Sequence, residues 1–108
     1  MQEQMTLDYE KIIMGIISNS GEAKSTAIEA LRYGRKNEFD KALKKLNDAE
    51  KALLKAHNVQ TQLISNELNG KKIEMNLLMV HAQDHLMNAV TILDLIKELI
   101  KILQERDN

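Results

Sequence analysis

The sequence has no cysteine, no proline and no tryptophan, and only four glycines, two tyrosines and one phenylalanine among 108 residues. Each absence excludes something. Without cysteine the chain has no disulfide and no thiolate chemistry of its own. Without proline, helices can run long. With so few aromatic rings, the core has to be built from Leu, Ile, Met, Val and Ala, which together with 29% charged residues is the composition of packed helices. There is no excess of basic charge: 15 Lys and Arg stand against 16 Asp and Glu, which argues against a nucleic-acid footprint. No run of about 18 apolar residues occurs, so no transmembrane helix is expected. The polar, acidic start "MQEQMTLDYE" is not a signal peptide. The expectation is a cytoplasmic chain with one domain, residues 1–108. A domain this small buries a limited fraction of its surface, and association with copies of itself would ease that.

Three helices are predicted. The first covers Leu7–Arg35, with Thr6 as N-cap and Asp8 and Glu10 in the first turn, where the helix dipole favours negative charge. Its inward positions are Ile12, Ile13, Ile16, Ile17, Ala23, Ala27, Ala30 and Leu31. "SNSG", Ser18 to Gly21, weakens its middle and invites a bend. The second helix covers Glu38–Leu68. "YGRKNEFD" is the break before it, with Gly34 suited to the C-cap of the first helix and Asn37 to the N-cap of the second. Phe39, Ala42, Leu46, Ala49, Leu53, Ala56, Gln60 and Leu63 recur at spacings of three and four, a coiled-coil-like seam. The opposite face carries Lys41, Lys44, Lys45, Asp48, Lys51 and Lys55, a solvated face or a docking surface for a partner. "NGKK", Asn69 to Lys72, is the second break, an Asn-Gly turn signal.

The third helix covers Glu74–Arg106 and is the most apolar. One stripe is Leu78, Ala82, His85, Ala89, Ile92, Ile96, Leu99 and Leu103, and a second is Met79, Leu86, Val90, Leu93 and Ile100. An amphipathic helix needs one apolar face of a little over 100°. This one has more than a three-helix monomer can cover, so self-association with the third helix near the centre is expected.

Within that helix, "VHAQDHLM" sets His81, Asp84 and His85 in an otherwise apolar run. His81 and His85 are four apart and share a face. Three readings stay open. The histidines are satisfied polar residues at a helix–helix contact. Alternatively they hold a transition metal, with His57 as a third ligand, although Ala82 stands where an HExxH motif has its glutamate. Or a neutral imidazole acts as a nucleophile that accepts a phosphoryl group and gives it up again. That chemistry needs an exposed ring nitrogen, a group that orients the ring, and donors for the phosphoryl oxygens; His85, Gln83 and Gln62 are candidates for the last. No Gly-rich phosphate loop occurs, so the group has to come from another protein.

"IIMGIISNSGEAKSTAIEAL", "FDKALKKLNDAEKALLKAHNVQTQLI" and, most specifically, "HAQDHLM" closely resemble the three helices of the enzyme IIA component of the lactose/cellobiose family of the bacterial sugar phosphotransferase system. The resemblance covers nearly the whole chain. It implies an all-α, three-helix antiparallel bundle that assembles as a homotrimer. It implies phosphorylation of His81 by the carrier protein HPr and transfer to a cysteine of the partner IIB component. It places Asp84 where three copies meet around a metal ion on the trimer axis.

Three apposed carboxylates repel one another unless a cation neutralises them, and oxygen ligands suit Mg²⁺ or a similar hard ion. Asp84, Asn88, Thr91 and Leu95 form a line that would face the axis, its polar layers specifying register and copy number. His81 would then face a groove between subunits, with His85 orienting it or contacting the phosphoryl group. His57 is expected to be a buried, hydrogen-bonded structural residue. On the same resemblance, Ala82 leans towards the cellobiose/chitobiose branch rather than the lactose branch, and a free-standing component is expected. The alternatives are a trimeric interaction module without catalysis and a zinc-binding bundle.

Overall fold

The computed structural model describes the backbone of residues 2–107 and the side chains of residues 8–106. Three helices, α1 (Gln2–Arg35), α2 (Phe39–Leu68) and α3 (Leu77–Asp107), run antiparallel in sequence order. They form a rod 59 × 23 × 19 Å in extent. α1 packs against both other helices more extensively than these pack against each other.

One alternation of three and four residues builds each contact face. On α1 the buried positions are Ile13, Ile16, Ser20, Ala23, Ala27, Ala30 and Gly34. Ile12, Ile17 and Leu31, expected inside, flank that line half-buried. α1 is continuous through "SNSG", because Ser20 lies in the buried line and the Asn19 amide donates to the Gly15 carbonyl at 2.9 Å. α1 begins at Gln2, so Thr6 is not its N-cap. On α2, Ala42, Leu46, Ala49, Ala52 and Ala56 are buried, with Phe39, Leu53 and Leu63 partly so. On α3 the buried line is Met79, Ala82, Leu86, Ala89, Leu93, Ile96 and Ile100. It takes alternate members of the first expected stripe and all of the second but Val90, and leaves His85, Ile92 and Leu103 at its edge, with Leu78 and Leu99 exposed. Alanine and glycine dominate the closest approaches. At Gly34 an added Cβ would stand 3.4 Å from Ile100 and 3.5 Å from Leu103.

Backbone chemistry sets both turns. Asn37 adopts φ +61°, the Glu38 amide donates to the Tyr33 carbonyl and the Asn37 amide to Gly34, both at 3.0 Å. This is a Schellman stop to α1. Asn37 therefore ends α1 instead of capping α2, Gly34 sits inside the last turn, and Glu38 holds the N-cap of α2 without a side-chain bond. The same device ends α2: Gly70 has φ +87°, the Lys71 amide donates to Asn66 and the Gly70 amide to Glu67.

α3 starts three residues later than expected. Asn76 is its N-cap, its side-chain oxygen accepting from the Met79 amide at 2.9 Å. Residues 71–76 form the link before it, and the Tyr9 hydroxyl donates to the Glu74 carbonyl, tying that link to α1. Partial burial, and then the Glu74 carboxylate, raise the Tyr9 pKa above its usual value.

The core falls into two clusters. One lies towards the α1–α2 turn, around Ala30, Leu46, Leu93 and Ile100. The other, Ile13, Ile16, Ala56, Met79, Ala82 and Leu86, underlies the first turns of α3. Outside the core, large apolar side chains are left exposed mainly on α2 and α3: Leu43, Leu54, Ile64 and Leu68 on one, and Leu77, Val80, Met87, Leu95, Leu99 and Ile102 on the other. α1 exposes only Met14 among the described residues. No helix among them is long and apolar enough to cross a membrane.

Candidate functional site

The first turns of α3 are fixed from below and from their end. Met79, Ala82 and Leu86 are buried, and each full burial of a side chain such as Leu or Met is worth about 1.5–3 kcal/mol. The Asn76 cap adds about 1 kcal/mol. On this anchored segment, residues four apart lie on neighbouring positions of one face. His81 and His85 accordingly meet: their Nε2 atoms are 3.1 Å apart, with ring centroids 4.4 Å apart and planes at 88°. One Nε2–H donates to the other Nε2, so in the neutral pair the accepting ring carries its proton on Nδ1. His81 is exposed and His85 half-buried. The pair thus has an outer ring open to solvent and an inner ring that orients it.

The other expected participants are distributed around the helix. Asp84 is exposed on the outer side of α3, and no lysine or arginine among the described residues pairs with it. Gln83 lies two positions from His81, about 200° around the helix. It turns towards α2, where its Oε1 accepts from Gln60 Nε2 at 2.7 Å and its own Nε2 donates to Met79 Sδ at 3.3 Å. Gln62 is exposed and donates to Asn66 on its own helix at 3.2 Å. Within one chain, therefore, neither glutamine joins the imidazole pair.

His57 is exposed on α2, not buried as expected; its position falls outside the inward line of Leu53, Ala56 and Gln60. Among the described residues no three His, Asp or Glu side chains converge. The zinc set of His57, His81 and His85 is thus not assembled within the chain.

Sequence reasoning missed the Gln60–Gln83 bridge, because Gln60 sits in the core seam of α2 and reads as a packing position. Its signal was a polar residue on an apolar line opposite another lone polar residue.

The bundle and its pair define a class: an all-α scaffold that displays a paired imidazole on open helix surface, where another macromolecule can reach it. Residues 11–104 match the family described as "PTS system, Lactose/Cellobiose specific IIA subunit", and the chain belongs to that family. It is 48% identical over 101 residues to the lichenan-specific phosphotransferase enzyme IIA component of Bacillus subtilis (strain 168), covering 94% of this chain and 92% of that one. The crystal structure of the PTS cellobiose-specific enzyme IIA from Bacillus anthracis superposes with a TM-score of 0.88 at 39% identity, over 92% of this chain and 91% of that one. The solution structures of a IIA(chitobiose)–HPr complex match with a TM-score of 0.81 at 36% identity, over 93% of this chain and 97% of that one.

Proposed function

We propose that this chain is a phosphocarrier in sugar uptake. It accepts a phosphoryl group from phospho-HPr on His81 and passes it to a cysteine of the cognate IIB component. The observation that carries this reading is the His81–His85 pair, an exposed imidazole with its Nε2 held 3.1 Å from an orienting ring on a rigid helix. The family of the chain and the HPr complex of a relative support it. In the first step the P–N bond of the donor breaks as a P–N bond to His81 forms. One phosphoimidazole replaces another, so no proton is gained or lost overall and the step runs close to thermoneutral. In the second step that P–N bond breaks as a P–S bond forms on the acceptor. The protein supplies positioning and charge stabilisation. The sugar served is cellobiose, chitobiose or a related β-linked disaccharide, in keeping with the relatives' specificities, and the work is done in the cytoplasm.

The reading includes a homotrimer centred on α3. The exposed apolar side chains of α3, with Leu95 at 59% and Met87 at 53% exposure, support burial against further copies. Asp84, Asn88 and Thr91, all exposed on the same side, then form polar layers at the axis. Asp84 faces outward with no cation partner among the described residues, which suits a shared oxygen-ligand site for Mg²⁺ or a similar ion among three copies. Such an ion would neutralise three carboxylates. Gln62 and Gln83 are hydrogen-bonded to Asn66 and Gln60 within one chain, so as phosphoryl-oxygen donors they would serve from a neighbouring copy.

The test is transfer. The chain is first loaded from phospho-HPr, freed of donor and mixed with purified IIB. The phosphoryl group is expected to leave this chain and appear on IIB, and not on a IIB variant lacking its cysteine. Retention on this chain in the presence of folded IIB would refute the carrier role.

A further inference from the structure

We infer that His81 and His85 form a two-nitrogen chelate for a borderline divalent transition metal of the Zn²⁺, Ni²⁺ or Cu²⁺ class, and that this metal competes with the phosphoryl group for His81. The chelate rests on the geometry of the pair; only the competition rests on the phosphocarrier reading.

The argument starts from the bite of the pair. Imidazole nitrogen binds Zn²⁺ at about 2.0–2.1 Å. Two such nitrogens stand about 2.9 Å apart when they subtend 90° at the metal, and about 3.3–3.4 Å apart at the tetrahedral angle. The Nε2 atoms of His81 and His85 are 3.1 Å apart, between those two values. The hydrogen-bonded pair therefore already stands within the spacing that a chelate requires. The i, i+4 step brings the rings together, and the buried Met79, Ala82 and Leu86 hold the backbone that carries them. Imidazole is the ligand this class of metal prefers, whereas Mg²⁺ prefers oxygen.

Access is open, because His81 is exposed. The proton balance is simple. In the neutral pair one ring carries its proton on Nε2; it moves to Nδ1 through solvent, and both Nε2 lone pairs turn to the metal. No net proton is released. Among the described residues no third His, Asp or Glu completes a site, so the remaining positions on the metal belong to water or buffer. The complex is then a weak, reversible one. Its consequence follows from the same atoms: a nitrogen bonded to metal has no lone pair to attack phosphorus.

The test uses the full chain in excess Mg²⁺, which fills oxygen sites, and titrates Zn²⁺ against a chromophoric competitor. The expected result is one Zn²⁺ per chain, with affinity reduced by at least about tenfold in His85→Ala and in His81→Ala, both shown by circular dichroism to be folded. Zinc binding unaltered by either substitution, or a stoichiometry of one per three chains, overturns the chelate. In a second arm, isolated phospho-HPr is the donor. Zinc that saturates the pair is expected to suppress phosphoryl uptake, with uptake restored by EDTA. Uptake that is unchanged at saturating zinc overturns the competition. An absence of uptake without zinc counts against the carrier reading alone, and the titration still decides the chelate.

Discussion

At the scale of the residue, the molecule depends on a few side chains whose backbone or polar roles are specific. Asn76 is one: its side chain closes the first turn of α3, directly before His81. Asn76→Ala is expected to cost about 1 kcal/mol, measured as a shift in urea midpoint at fixed protein concentration, while Asn76→Asp and Asn76→Ser retain most of the stability. Gly70 is another, at φ +87°; Gly70→Ala forces a Cβ into the left-handed region at a cost of about 1–2 kcal/mol, although open space surrounds it. The imidazole pair was legible in the sequence, because a four-residue step on a helix has one geometric outcome. Gln62 and Gln83 were not, since residue type names a donor without saying where it points. The orientation of Gln83 follows from a partner on another helix, Gln60. His57 was expected to be a buried structural residue, yet a single step around α2 from buried Ala56 takes it into solvent.

At the scale of the element, the three helices and both breaks could be read from the three-four periodicity, and their ends could not be read to the residue. The capping asparagines explain why. Asn37 and Asn76 both precede a helix, and Asn favours both N-caps and the left-handed C′ position. The structure uses Asn76 in the first way and Asn37 in the second. Substitution separates the two roles: Asn37→Gly should leave stability within a few tenths of a kcal/mol or raise it, while Asn37→Ala should lower it by about 1–2 kcal/mol, as thermal denaturation would report. "SNSG" weakened α1 on propensity alone, but packing of Ile13, Ile16, Ala23 and Ala27 on either side overrides it.

The close approach of α1 and α3 at Gly34 gives a further prediction at this scale. Gly34→Ala meets Ile100 and Leu103 at ordinary contact distance and should be tolerated. Gly34→Leu should cost about 1–3 kcal/mol through overpacking, with the loss read from denaturant unfolding.

At the scale of the whole molecule, the apolar side chains left on α2 and α3 are the feature that a single copy does not satisfy. The excess on α3 was visible in its sequence, but which residues belong to the internal core and which to an outer face was not. The bundle buries alternate members of the first expected stripe and all of the second but Val90, and leaves Leu77, Met87, Leu95 and Ile102 outside. On the proposed trimer, Asp84→Leu should give a tighter assembly that no longer responds to a chelator, and Asp84→Ala should lose the axial metal. Sedimentation equilibrium with and without EDTA, together with metal analysis, reads both; metal content unchanged in Asp84→Ala would contradict the axial role of Asp84.

The central claim of the proposed function is that His81 is a phosphoryl acceptor. The measurement that tests it most directly is the intact mass of the folded protein after incubation with phosphoenolpyruvate, the general phosphotransferase enzyme and HPr, beside His81→Ala. The account predicts one acid-labile phosphoryl group per chain on the wild type and none on the variant. A folded wild-type protein that stays unmodified, or a His81→Ala variant modified to the same extent, would contradict it.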